Sequence, residues 1–550
     1  MAQPMDKTSR TLKYGSNAVV GTILLLVILS AANYLAGRSQ VRFDLTRGKN
    51  FSLSAATRDL LARLPDDVTV TVYATGRDTP SEWTEQRNQL RDLLMEYRVR
   101  SRGRVKYSFK DPSDDPAIER EAEQAGVQRQ LMAQQTATEL SARRGFLGFV
   151  VKHKAKSETV PVIQPDYPLE YQLTTAINKV AQVDVPKIGL VAPAGNPFMG
   201  DGGNFTLVPQ ILEQEGYEVK NLEATRLGDL NDISMLIILD PGELSEEALF
   251  RIDQFVMRGG KLFVAASGVN IDMNSGRATA RTPNINSILE PYGLKINADM
   301  LEDWGRGVQQ LFPTPRGFVP IINPFIAEVP DVDKDSPITA NLGGLMLYFG
   351  SSVAASEHGT SGTLTVLART SPNTRKQETM FNLEPERLDP PRRGDDSLRA
   401  MPVAMQVTGE LNSRFATVDP PVLTNDDGST RSVPASEVKT KSDPKATVVV
   451  VGSTISFFNN VLGRQGQVNG LFLLNVADVM TRGGELIALR SKFTENPKLR
   501  PQIERSEQVT AMFLVVAGVP ILLVLFGIAK FYLNRMKRRR YEVLYGGAGQ

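Results

Sequence analysis

MLIILDPGELSEEALFRIDQFVMRGGKLFVAAS (residues 235–267) reads as strand, helix, strand. MLIILD is apolar without alternation, the mark of a strand buried on both faces. Ser245 stands where a helix cap belongs, with Glu247 and Ala248 in the first turn. Gly259 and Gly260 stop the helix, and KLFVAAS is the next buried strand. The pattern extends outward in both directions. IGLVAP (188–193) is an earlier buried strand, and 205–215 has helical spacing. ATVVVVGS (446–453) is a later strand, followed by a helix over 468–480 and a last strand over 485–490. Strands and helices alternating in this way predict an α/β domain over 186–490, a doubly wound and mostly parallel sheet with helices on both faces. The polar, turn-rich region from about 370 to 444, including DPPRRGDDS and TNDDGSTRS, reads as a loop-rich insertion interrupted by a strand near 401–408.

A first α/β domain is expected over 44–185. Ser54 is placed to cap a helix over Ala55–Arg63. VTVTVYA (68–74) alternates as a strand does. Trp83, Leu90, Leu93, Leu94 and Tyr97 fall at helical spacing. Strands are expected near 104–110, 146–152 and 159–163, a helix near 116–125, and EYQLTTAINKVAQ (170–182) as a closing helix.

Two windows lack charge: 14–37 and 509–529. About 20 apolar residues cross a hydrocarbon layer of about 30 Å, so both are expected to be membrane helices, over 14–37 and 509–533. Lys530, Arg535, Lys537, Arg538, Arg539 and Arg540 follow the second window. Basic residues stay on the cytoplasmic side. The expected topology is therefore a bacterial inner membrane with residues 1–13 and the basic tail 534–550 cytoplasmic. The body is then periplasmic, joined by a linker over 491–508.

The chain has 550 residues, 63 basic and 61 acidic, for a net charge of +2. That balance argues against nucleic acid as a partner. There is no cysteine, which removes thiol nucleophiles, disulfides and thiolate metal sites. The two histidines, His153 and His358, both read as surface residues. No GxxxxGK[ST], HExxH or GxSxG motif is present. No catalytic residue, metal site or cofactor is expected. In doubly wound sheets ligands sit at the carboxyl ends of the strands, which makes Asn196, Asp240, Ser267, Asn270 and Ser453 the candidate ligand-binding residues. The same residue types also favour ordinary turns there. Trp83 and Trp304 offer only a weak aromatic platform for a glycan.

Several segments resemble the GldG-like auxiliary component of gliding-motility-type ABC transport systems. They are DLTRGKNFSLSAAT, EYQLTTAINKV, FVMRGGKLFVAAS, VVVVGSTISFFNN and GLFLLNVADVMTRGGELI. The resemblance implies an ABC permease and a separate cytoplasmic ATPase as partners. It also implies a domain similar to the glutamine-amidotransferase-like and flavodoxin-like folds and to an intraflagellar transport subunit. The amidotransferase nucleophile has no counterpart, since cysteine is absent. The expected function is a non-enzymatic, membrane-anchored subunit contacting lipid, whose body binds a substrate or an envelope glycan or protein. The alternatives are a stand-alone glycan or peptidoglycan-binding module and a periplasmic hydrolase using Ser267 or Ser453.

Overall fold

The computed structural model describes residue 30, residues 525–533 and 535–536, and residues 53–484 with short gaps at 77–78, 114, 136–139, 164–167, 182–184, 194–204, 226, 241, 273–276, 315–316, 341, 380, 393, 425–428 and 464–466. The chain forms two compact units, Met1–Thr494 and Glu495–Gln550.

The N-terminal part of the first unit begins with the helix Ala55–Arg63, where the Ser54 hydroxyl accepts from Thr57 N at 3.1 Å. The alternation in the Val68–Ala74 strand buries Val68, Val70 and Val72 completely. Its sheet runs in the order Val105–Lys110, Val68–Ala74, Leu140–His153, Arg129–Gln135, and Lys156–Val160 also pairs with Leu140–His153. Only the first pair is parallel. Leu61, Leu90, Leu94, Tyr97, Leu173 and Ile177 bring the helices Ala55–Arg63, Ser81–Arg100 and Leu169–Ala181 into one core with it. His153 is not at the surface: it is 7% exposed, with Nδ1 3.1 Å from Asp67 O. His358 is exposed.

The second part is built on an eight-stranded sheet. Its order is Asp331–Val332, Thr363–Arg369, Pro402–Thr408, Thr447–Val451, Lys261–Ala265, Met235–Leu239, Lys187–Val191, Glu218–Leu222. The last five strands are parallel. The first three join antiparallel. Continuous apolar runs serve both faces of the parallel part. Leu236, Ile238, Leu262, Val264, Val448 and Val450 pack toward Glu246–Met257 and Asn286–Tyr292. Met235, Ile237, Leu239, Phe263, Val449 and Val451 pack toward Leu207–Gln214 and Gln467–Arg482. Each fully buried side chain of this size contributes about 1.5–3 kcal/mol. Gly259, at φ 91°, ends the Glu246–Met257 helix, and Gly260 leaves no room for a Cβ against the Phe255 ring at 2.6 Å.

Two corrections to the expected fold follow. The molecule is a mixed α/β protein with many strands rather than a mostly parallel sheet. Pro402–Thr408 and Thr363–Arg369 return without a crossover helix between them, so they enter antiparallel. The strand near 401–408 thus belongs to the main sheet, hydrogen-bonded on both sides. Nor are two membrane helices upheld: among the described residues no helix is long and apolar enough to cross a membrane. Ser81–Arg100 has the length, at 20 residues, but carries charges throughout. The window 14–37, apart from Ser30, and residues 509–524 lie outside the described residues, as does the strand expected over 485–490.

Candidate functional site

The five parallel strands end together, and four of the five sequence-derived candidates lie among the described residues at that edge. Asn196 lies outside them. Asp240 follows the Met235–Leu239 strand with φ 47°, a left-handed conformation that aspartate tolerates better than most side chains. Its N–H donates to Ala265 O at 2.9 Å, which fixes the turn. Arg281 bridges two candidates: Nη1 donates to Asp240 Oδ1 at 3.2 Å and to Asn270 Oδ1 at 3.3 Å, while Nη2 reaches Gly242 O at 3.3 Å. Asp240, Asn270 and Arg281 therefore form one partly exposed polar group. Sequence reasoning missed Arg281, because RATAR carries no motif and only the pairing of Val269–Asp272 with Arg277–Ala280 brings it back to Asn270.

The two serines behave differently. Ser267 Oγ accepts from Thr454 N at 3.2 Å. Ser453 is fully buried; its hydroxyl donates to Tyr348 O at 2.6 Å and accepts from Ser456 N at 3.2 Å. Both hydroxyls are buried and tie loops together. The strand ends here are sealed by the chain itself. A Cβ on Gly268 would lie 1.8 Å from Asn297 O, and one on Gly452 would lie 2.0 Å from Ser351 O. Gly268 N donates to Ser351 Oγ at 2.8 Å, and Ser351 N donates to Gly452 O at 2.6 Å. Asp299 holds the seal from above, accepting from Ser352 N at 2.7 Å and Ser352 Oγ at 2.6 Å. Burial raises the Asp299 pKa, and the two Ser352 donors oppose that rise.

A second polar group joins the Met300–Asp303 strand to the start of the inserted region. Glu302 sits directly opposite Arg375 where Met300–Asp303 pairs with Thr374–Gln377. Its carboxylate, 2% exposed, accepts from Arg375 Nε at 2.7 Å, from Trp304 Nε1 at 2.9 Å and from Gln377 Nε2. The Arg375 guanidinium lies 5.8 Å from the Trp304 ring centre, so this tryptophan is already engaged and is not a free sugar platform. Trp83 packs against the N-terminal core. An open cleft of about 830 Å³ borders the group, with Arg277, Arg387 and Asn382 on its walls. Asp303 is buried as well and accepts from Gly305 N, Arg306 N and Ser371 N. The pair ED at 302–303, charged yet placed at the end of a strand and followed by Trp304, was the available signal for this group. Among the described residues no cluster of histidine, aspartate and glutamate could hold a metal ion.

Among the described residues, the polar candidates at this end of the sheet are paired with other groups of the chain. The chain belongs to the family described as an ABC-type uncharacterized transport system, its auxiliary component, whose model matches residues 185–480, more than half of the 550. Residues 47–152 match a domain of unknown function. An uncharacterized protein of Borreliella burgdorferi is 27% identical over 269 residues, 48% of this chain and 51% of that protein. The chain thus spans about half the length of that relative. Among solved structures, the mmIFT52 N-terminal domain is 13% identical, with a TM-score of 0.31 over 54% of this chain and 96% of that one. A ThuA-like protein from Bacteroides uniformis is 10% identical, with a TM-score of 0.27 over 54% and 93%. Likeness at that level carries no argument about fold or function.

Proposed function

We propose that this protein is a non-enzymatic, GldG-like auxiliary subunit that associates with an ABC permease and its ATPase and couples their cycle to a substrate or envelope partner. The observation that carries the reading is the family match over 185–480, which coincides with the eight-stranded body. The sealed strand ends support it. Gly268 and Gly452 are pressed against the chain's own carbonyls, so the ends of the Lys261–Ala265 and Thr447–Val451 strands are covered by protein. Rigid, densely packed bodies of this kind are suited to moving as units. Contact with a ligand or partner is assigned to the exposed group Asp240, Asn270 and Arg281. The same proposal puts the body on the periplasmic face of a bacterial inner membrane, in reach of a permease.

The test is co-purification of the tagged chain from its native membranes in mild detergent. Permease and ATPase subunits are expected in the eluate, and Arg281→Ala is expected to weaken capture of any third component while leaving them bound. Recovery of the chain without either subunit overturns the proposal. Cleavage of the body by protease in intact cells stripped of their outer membrane checks the placement.

A further inference from the structure

The strands Gly307–Thr314 and Gly317–Val329 form a long antiparallel hairpin whose root and outer half differ in kind. At the root Phe325 is 1% exposed and stacks on Phe349 with ring centres 5.7 Å apart. Residues 326–329 pair there with Leu345–Tyr348. Farther out Leu311 is 67% exposed, Phe318 72%, Val319 44% and Ile322 43%. Successive strand residues point to opposite faces. Phe318 and Val319 therefore point to opposite faces, and Val319 shares its face with Phe312, its cross-strand partner. Leu311, Phe318 and Ile322 thus share one exposed face of the ribbon, and Val319 is open to solvent on the other. A partner protein docked on one face leaves the other wet. Insertion into a medium covers both.

The sequence says which medium. Residues 304–327 contain no aspartate or glutamate, in a chain that has 61 of them, and the charges present are arginines. Arg306, at the base, is exposed. Pro313 and Pro320 lie in the outer half, one on each strand, and lack an N–H. Prolines at these positions blunt the ribbon against strand addition by another chain. They also leave fewer donors to satisfy at the boundary of an apolar phase. From this we infer that the outer hairpin is a wedge that enters the headgroup region of an anionic phospholipid bilayer, without crossing it. Apolar side chains of the outer half enter the acyl boundary, and the absence of acidic residues over 304–327 suits that half to an anionic surface. The inference is independent of any transporter partner.

The chain has no cysteine, so single probe sites are available without altering anything else. Phe318→Cys and Val319→Cys, in the full chain, are labelled with an environment-sensitive fluorophore, and Val422→Cys, exposed on a different hairpin, is the control. Vesicles of phosphatidylethanolamine and phosphatidylglycerol are added, with and without an acyl-chain nitroxide. A blue shift and nitroxide quenching at both 318 and 319, absent at 422 and reduced with phosphatidylcholine alone, is the expected result. No shift at either site overturns the proposal. So does a shift on one face only, an equal shift in phosphatidylcholine, or a shift that needs co-purified protein, which would assign the hairpin to a protein partner.

Discussion

Glu170 Oε1 accepts the backbone N–H of Ser54 at 2.7 Å, joining residues 116 apart in sequence. The same oxygen accepts the Thr57 hydroxyl at 2.7 Å, and that hydroxyl lies 3.0 Å from the hydroxyl of Thr174. Tyr97 closes the group from the long helix, its hydroxyl 2.5 Å from Thr174 Oγ1 and 3.2 Å from Glu170 O. One buried carboxylate thus gathers Ser54 and Thr57 onto the EYQLTTAINKV helix, joining two of the stretches that carry the family resemblance. Glu170→Ala leaves buried donors without acceptors and is expected to lower stability by about 2–4 kcal/mol. Glu170→Gln keeps a carbonyl oxygen and should lose about half as much. Denaturant unfolding of the three proteins measures both, and equal losses would show that the acceptor geometry is not what matters.

That cluster also shows what the sequence made legible. The cap at Ser54, the alternating strand over 68–74 and the glycine stop after residue 258 are local, and local chemistry announces them. Glu170 gives no such sign, because its partners are set by the packing of two helices and a turn. The sheet shows the same division. Continuous apolar runs revealed four of the five parallel strands; Glu218–Leu222, at the sheet edge, carries no such run, and Pro402–Thr408 looked like an island in loop because its neighbours lie at 363–369 and 447–451. At the candidate site Asp240 and Asn270 were visible as strand-end residues. Their link, Arg281, and the sealing of Gly268 and Gly452 were not, since both depend on residues 281, 297 and 351 folding back over the strand ends.

Gly268 and Gly452 make the second prediction. A methyl at either site lands on a backbone carbonyl at 2.0 Å or less, and backbone has no rotamer with which to yield. Gly268→Ala and Gly452→Ala are expected to destabilise by about 3 kcal/mol or more, at the severe end of single substitutions. Gly228→Ala is the control: it meets nothing within 4 Å and should be close to neutral. Comparable melting temperatures for all three variants would show that the seal opens readily.

Asp299 gives a pH dependence with a definite sign. Burial raises its folded pKa above the ordinary 3.8, so the native state holds the proton over a range in which the unfolded chain has released it. Unfolding free energy falls as pH rises wherever the native state binds more protons. Acidification from neutrality through the folded pKa toward 3.8 should therefore stabilise the native protein at this group. Other carboxylates titrate too, so the readout is the difference between native protein and Asp299→Asn in chemical denaturation at several pH values. The native protein should gain on the variant as pH falls. A difference that is flat with pH, or of opposite slope, refutes the assignment.

The Gln467–Arg482 helix is fastened by a buried charge. Arg482 Nη1 lies 3.4 Å from Asp478 Oδ1, and the two side chains are 8% and 0% exposed. The same guanidinium donates to Glu215 O at 3.2 Å and to Gly216 O at 2.8 Å, and lies 3.9 Å from the centre of the Tyr217 ring. Tyr217 donates its hydroxyl to Asp478. Burial, and next the Asp478 charge, raise the Tyr217 pKa, so the phenol keeps the proton it donates. Removing one member of a buried pair strands the other charge, at a cost of about 3–5 kcal/mol. Arg482→Ala should reach that range, because Asp478 and two carbonyls lose their donor together. Arg482→Lys retains charge but not the fork, and should recover only part of the loss. Amide hydrogen exchange locates the effect: protection should fall across 467–482 and 215–217 and stay unchanged in the N-terminal sheet. Loss of protection spread evenly over both sheets would mean that the pair supports the whole unit and not the junction of this helix alone.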